Sequence, residues 1–335
     1  IDSGQAQATQ LNEQSMSLKV TDLEPGKSRG VYRNTSLDLR IYNRLQMFVH
    51  NEALIDDLNE LQNGDISLFV RFGSDVKNNY YEYEIPLEVT PAGKYSDRYA
   101  VWPANNMLDC DLDIFPAVKK QRNAEKMQES SGVSYNRRYS VPDDKRKGNT
   151  ITVIGNPSLS DVRVIIIGVK NNSNATKNCN VWVNELRVTD FNNNGGWAAK
   201  GNMNLSLSDI AVVNVGGHKE TSGFGSVDQS LSERRIDNLD QYNVAVQVDL
   251  GRFLPEKVKL KAPVYYSVSK EKMTPKYNPL DQDVLLEDAL DACATEAQRD
   301  SIESYAVSSK TVESFSVSGL KFDVQSKNPM PWDPS

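Results

Sequence analysis

Asp109, Asp111 and Asp113 alternate with Leu108, Cys110, Leu112 and Ile114. Alternate side chains of a strand share a face. Three carboxylates on one face would suit a hard cation, and calcium takes oxygen ligands. The helix–loop–helix calcium pattern fails, because Ile114 stands where that loop needs glycine and Lys120 where it needs glutamate. The trio is a calcium candidate, weighed against an ordinary solvated strand face.

Other chemistry is thin. The 2 histidines, His50 and His218, have no neighbouring cysteine, whereas zinc wants clustered ligands. His50 reads as a satisfied sheet residue and His218 as an exposed strand end. Glu82 with Glu84, and Asp281 with Asp283, are paired carboxylates, but a glycosidase needs its pair across a cleft. No nucleophile elbow, Walker loop or dinucleotide fingerprint occurs. Gly223-Phe224-Gly225-Ser226 reads as a turn at a loop tip. The expectation is no enzyme, no catalytic residue, no cofactor and no metal beyond the calcium candidate.

The elements that would carry such residues are more informative. Trp197, Ala199, Gly201, Met203, Leu205 and Leu207 alternate with Ala198, Lys200, Asn202, Asn204, Ser206 and Ser208. Tyr242, Val244, Val246, Val248 and Leu250 alternate with Asn243, Ala245, Gln247 and Asp249. Val258, Leu260, Ala262, Val264, Tyr266 and Val268 alternate with Lys257, Lys259, Lys261, Tyr265 and Ser267. Each run is apolar on one side and wet on the other, and long enough for a tilted membrane strand of about 9–11 residues. The lipid-facing candidates are Trp197, Met203, Leu205, Leu207, Tyr242, Val244, Val246, Val248, Val258, Leu260, Val264 and Tyr266. The lumen-facing candidates are Lys200, Asn202, Asn204, Asn243, Gln247, Asp249, Lys259 and Lys261. Trp197, Tyr242, Tyr265 and Tyr266 are candidates for an interfacial aromatic girdle.

Composition permits this. The chain has 335 residues, of which 39% are hydrophobic and 25% charged, so it is neither a disordered chain nor a helical membrane protein. The mean hydropathy of −0.54 does not exclude a barrel, whose polar lumen residues dilute hydropathy. The net charge of −7 argues against nucleic acid. Lys119, Lys120, Arg122, Lys126, Arg137, Arg138, Lys145, Arg146 and Lys147 cluster in a stretch of low hydrophobicity and read as a solvated loop. The 3 cysteines, Cys110, Cys179 and Cys293, form no metal-binding pair; buried free thiols are expected, with a Cys110–Cys179 bridge as the alternative.

Along the chain, residues 1–14 read as a polar tail. Short strands follow around Met16–Val20, Leu37–Ile41, Leu45–Val49, Ile66–Phe72, Tyr80–Val89, Ile151–Ile154, Val162–Val169 and Val181–Val188, broken by Gly, Pro, Asn and Ser. Asn51–Leu61 has helical spacing. Val164–Val169 reads as a central strand buried on both faces. The set predicts an all-β chain: an antiparallel, jelly-roll-like β-sandwich over 15–190, followed over 191–335 by strands of a large transmembrane β-barrel. One long loop should carry a helix over 284–304. Thr311–Val324 should be a fifth strand whose apolar phase shifts at Gly319, marking a bulge. The chain opens without Met and ends in a turn-like segment, so a fragment of a longer polypeptide is expected. Alternating connection lengths place Trp197 and the sandwich on the outer side.

Several blocks are similar in order to the SprA/Sov family. Leu37–His50, Asn78–Leu87 and Ile151–Pro157 each resemble segments of that family. So do Val181–Phe191, leading into Gly195-Gly196-Trp197-Ala198-Ala199, and Gly223–Ser226. The resemblance covers most of 16–335. It implies the outer-membrane translocon of the type IX secretion system of Bacteroidota, a very large single-chain barrel with an outer cap and a lateral opening. It also implies passage of folded cargo proteins to the surface, gliding in motile members, and partners among cargo, other secretion-system subunits and outer-membrane lipid. The alternative is a secreted carbohydrate-binding sandwich using Tyr80, Tyr81, Tyr83 and Trp102 as a sugar platform.

Overall fold

The computed structural model describes residues 15–54, 60–91, 96–126, 131–192, 195–229, 233–255, 260–293 and 295–322. The expected tail over 1–14 lies outside them, as do residues 55–59 of the helical spacing expected over Asn51–Leu61, whose first residues, Asn51–Ala53, end a strand instead. The chain divides into two units: Ile1–Asn192 with Asp281–Val284, and Asn193–Leu280 with Leu285–Ser335.

The first unit holds β1 (Met16–Leu23), β2 (Ser28–Leu37), β3 (Tyr42–Ala53), β4 (Ile66–Gly73), β5 (Tyr80–Pro86), β6 (Leu108–Asp111), β7 (Tyr139–Pro142), β8 (Thr150–Ile154), β9 (Val162–Asn171) and β10 (Lys177–Phe191). They form a 4-stranded sheet, β1-β10-β3-β6, and a 6-stranded sheet, β2-β9-β4-β5-β8-β7, and the pairs are antiparallel. Apart from the β4–β5 hairpin and the inserted β7–β8 hairpin, successive strands alternate between the sheets, and the last strands return beside the first, which is jelly-roll connectivity. Inward residues of both sheets share one core, including Leu45, Met47 and Val49 from β3, and Leu68, Val70 and Phe72 from β4. Each such side chain contributes about 1.5–3 kcal/mol by leaving water.

Three sequence expectations change here. The stretch containing Lys119 and Arg122 is a helix, not a solvated loop. That helix, α2 (Ile114–Lys126), follows a single-turn α1 (Arg98–Val101) and buries Phe115, Val118, Lys119 and Arg122. Arg122 donates to the Gly155 carbonyl at 2.5 Å, Arg146 pairs with Asp109 at 2.9 Å, and Arg138 pairs with Glu82. These cations bind internal acceptors, so they are drawn into the structure. Second, Tyr80, Tyr81 and Tyr83 are buried. Tyr81 and Tyr83 face the core, and Arg71 stacks on Tyr80 at 4.0 Å, so these rings form no sugar platform. Third, β9 is central between β2 and β4, but Ile165, Ile166 and Ile167 are only half-buried.

The second unit holds β11 (Ala198–Leu207), β12 (Ala211–Glu220), β13 (Asn238–Asp249), β14 (Leu260–Lys261), β15 (Pro263–Thr274) and β16 (Tyr277–Asn278). β17 (Asp281–Leu285) follows, with Asp281–Val284 belonging to the first unit. Then come α3 (Leu286–Asp291), α4 (Glu296–Ala306), β18 (Ser308–Val317) and β19 (Lys321–Phe322). β11, β12, β13, β15 and β18 make one 5-stranded antiparallel sheet in chain order. No sheet closes into a barrel among the described residues.

The fourth long strand starts at Pro263 rather than Lys257. The Asp249 carboxylate accepts the N–H of Gly251 at 3.0 Å and of Ala262 at 2.9 Å, pinning a short 3-10 turn (Leu250–Phe253) and ending both runs. Leu260 and Lys261 leave the sheet and pair with β19 instead. The single helix expected over 284–304 is two: residues up to Leu285 stay extended, and Thr295 starts α4 by accepting the N–H of Gln298. The phase shift at Gly319 is a strand break. Gly319 has φ +69°, a left-handed conformation that favours glycine. The chain then joins β14.

Candidate functional site

Among the described residues the acidic trio forms no cluster with metal-binding geometry. Asp109 is held by Arg44 at 2.5 Å, by Gln46 at 3.1 Å and by Arg146 at 2.9 Å, while Asp111 pairs with Lys145 at 2.5 Å. The backbone carbonyl of Asp113 accepts the Ala117 N–H inside α2. Arginine and lysine side chains pair with the Asp109 and Asp111 carboxylates, and Asp113 lies beyond the end of β6. Burial alone would raise the Asp109 carboxyl, but the hydrogen bonds from Arg44 and Gln46 and the nearby guanidinium charges hold it below the usual range.

His50 is buried and bonded, while His218 is partly exposed. The Val101 carbonyl accepts from His50 Nδ1 at 2.7 Å, with the Thr90 hydroxyl at 3.1 Å and the Glu52 carboxylate 3.5 Å from Nε2. His218 lies 3.1 Å from Glu220 at a strand end. Gly223 turns the loop after β12.

The arrangement that stands out is the register of the 5-stranded sheet. Residues paired across strands point to the same side. One row runs Met203–Val215–Val244–Val268–Glu313. The next is Leu205–Val213–Val246–Tyr266–Phe315, and the third is Leu207–Ala211–Val248–Val264–Val317. The opposite face carries Asn202–Gly216–Asn243–Ser269–Val312, Asn204–Asn214–Ala245–Ser267–Ser314 and Ser206–Val212–Gln247–Tyr265–Ser316. The row Lys200–His218–Gln241–Glu271–Lys310 continues that face. Thus two stripes visible in single strands become two faces of a sheet. Gly216 sits where the Asn202 and Asn243 amides converge; a Cβ there would lie 2.2 Å from Asn243 Oδ1.

Neither face is covered within its unit. Among the strand residues of this sheet only Gly216 and Leu239 are buried. Met203 is 57% exposed and Phe315 70%. Soluble monomers rarely leave a contiguous apolar surface of this extent open. Trp197 lies just before β11, with its N–H and carbonyl bonded to Thr221. Tyr242 and Tyr266 share the apolar side, but Tyr265 is on the polar side opposite Gln247, so these rings do not form one girdle. Leu260 and Lys261 are off this sheet, and Asp249 is bound into the turn at its end. Val258 and Lys259 lie outside the described residues.

A family model described as SprA_N, motility related/secretion protein, matches residues 1–290. The chain belongs to this family. No curated protein matches it. The SprA_N match covers the whole sandwich and the first four long strands of the sheet, so it spans both units. The SprA_N assignment agrees with the similarity found in Leu37–His50 and Val181–Phe191, and it carries a motility- and secretion-related role.

Proposed function

We propose that the 5-stranded sheet is part of the wall of an outer-membrane β-barrel, and that the chain is part of a translocon passing folded cargo proteins to the cell surface in type IX secretion. The carrying observation is the two-faced register, with three successive rows apolar but for Glu313 on one side and rows rich in amides and hydroxyls on the other, both sides uncovered. Strands of 10–12 residues suit a tilted span, which needs about 9–11. Membrane barrels have at least about eight strands, so further strands would continue the wall beside β11 and β18. In this reading Met203, Leu205, Leu207, Tyr242, Val244, Val246, Val248, Val264 and Tyr266 meet lipid. Lys200, Asn202, Asn204, Asn243 and Gln247 meet the lumen. A lumen lined by amides and hydroxyls offers folded cargo no apolar surface to stick to, so passage needs no bond chemistry. The sandwich then lies on the extracellular side as a cap, and cargo and other secretion subunits are its partners.

Substitution separates the faces. Met203→Lys should block assembly in the outer membrane, since a lipid-face charge costs about 2–4 kcal/mol near the midplane. Asn202→Leu should be milder. Equal assembly defects, read as heat-modifiable protein in outer-membrane fractions, would contradict the assignment.

A further inference from the structure

The sandwich contains a slot filled by a distant piece of its own chain. Its walls are Lys119 from α2, Tyr81 from β5 and the loop Pro157–Ser160. Lys119 is almost wholly inside, with its side chain 1% exposed. It donates to the Pro157 carbonyl at 2.7 Å and to Asp281 at 2.6 Å, and lies 3.6 Å from Asp283. The Asp283 carboxylate, itself 0% exposed, accepts from the Tyr81 phenol at 2.7 Å, the Ser158 hydroxyl at 2.9 Å and the Leu159 N–H at 2.6 Å. Between them, Gln282 accepts from the Ser160 hydroxyl at 2.5 Å.

The chemistry is selective. In an extended segment, residues two apart project to the same side. A strand with Asp at alternate positions therefore presents both carboxylates to one buried ammonium. Asn in their place would leave Lys119 as an uncompensated interior charge. The contact is also separable from the fold. No residue of Asp281–Val284 belongs to the hydrophobic core, and the neighbouring residues on both sides belong to the second unit. Hydrogen bonds and charge hold the segment, and its withdrawal would remove no core side chain. The vacated slot, with Lys119 buried and Tyr81 lacking an acceptor, would then favour another acid.

We propose that this slot is a binding site for an extended acidic strand of the form Asp-x-Asp. Asp281–Val284 is its resident and exchangeable occupant, and a matching strand of a second polypeptide is its alternative ligand. The proposal stands apart from whether the 5-stranded sheet meets lipid.

The probe is a fluorescent, end-blocked peptide of the chain's own sequence from Leu280 to Leu285. Its binding to the purified full chain is read by anisotropy. D281N/D283N should bind it at least tenfold more tightly than the unaltered chain, and binding should weaken as salt rises. The same peptide with both aspartates replaced by asparagine should not bind. Equal or absent binding to a D281N/D283N chain that still folds would overturn the proposal. If that variant does not fold, Asp281→Asn alone decides: it keeps the buried Asp283, should bind the peptide more tightly than the unaltered chain, and equal binding would overturn the proposal.

Discussion

The Tyr81 phenol donates to the Asp283 carboxylate at 2.7 Å across a sequence separation of 202 residues. The ring sits in the sandwich core while its hydroxyl reaches the returning segment. Burial first, and then the neighbouring Asp283 charge, push the Tyr81 phenol well above its ordinary range, so it remains the donor. Tyr81→Phe keeps the ring and deletes that bond to a charged group. We expect a loss of about 1.5–3 kcal/mol in urea unfolding of the full chain. An unchanged midpoint would show that the bond adds nothing.

Phe115 anchors α2 among Phe72, Tyr81 and Tyr83, with ring centroids 4.9, 5.5 and 6.3 Å away. Phe115→Ala would leave a cavity in a fully buried position and should cost about 3–5 kcal/mol by the same measurement. A loss below about 1 kcal/mol would mean that the helix is not packed on the sandwich.

Asp109 gives a pH signature. Its folded carboxyl is held below the ordinary value of about 4. A depressed acid stabilises the fold above its unfolded pKa and loses that contribution as pH falls through the folded pKa. The unaltered chain should therefore be more stable than Asp109→Asn at pH about 6, and the gap should close as the pH drops below about 4. A gap that stays constant from neutral to acid pH would remove the carboxylate from the account.

None of the three cysteines is in a disulfide, and Cys110 and Cys179 are buried while Cys293 is partly open. Burial pushes the Cys110 thiol far above its ordinary range, which suppresses the reactive thiolate. Folded protein should be alkylated at Cys293 alone, and denatured protein at all 3 without added reductant. Rapid labelling of Cys110 before unfolding would contradict its position in β6.

Much of the second unit was legible because its signal is purely periodic. Met203, Leu205 and Leu207, and Val244, Val246 and Val248, announce a strand with two unlike faces whatever their neighbours do. Gly319 marked a change of phase between Phe315 and Leu320, but a shifted stripe does not distinguish the expected bulge from the break that is found. The register that joins these stripes was not legible, since pairing is a property of two strands. α2 was hidden because Lys119 and Arg122 carry charge into the interior, and hydropathy reads every cation as wet. β2 was hidden because its residues are mostly exposed and its strand conformation comes from pairing with β9. Tyr80, Tyr81 and Tyr83 offered the rings of a sugar platform, but alternation alone does not say which face a second sheet will cover. The slot at Lys119 was invisible, because Asp281 and Asp283 lie far along the chain from their partner.

The most direct measurement places single spin labels at positions 202 to 205 and 246 to 247 of the chain assembled in a bilayer. Relaxation by oxygen, which concentrates in hydrocarbon, is compared with relaxation by a water-soluble nickel chelate. Labels at Met203, Leu205 and Val246 should respond to oxygen, and labels at Asn202, Asn204 and Gln247 to nickel, alternating residue by residue. Labels at Met203, Leu205 and Val246 shielded from both reagents would place the apolar face against protein and contradict the membrane wall.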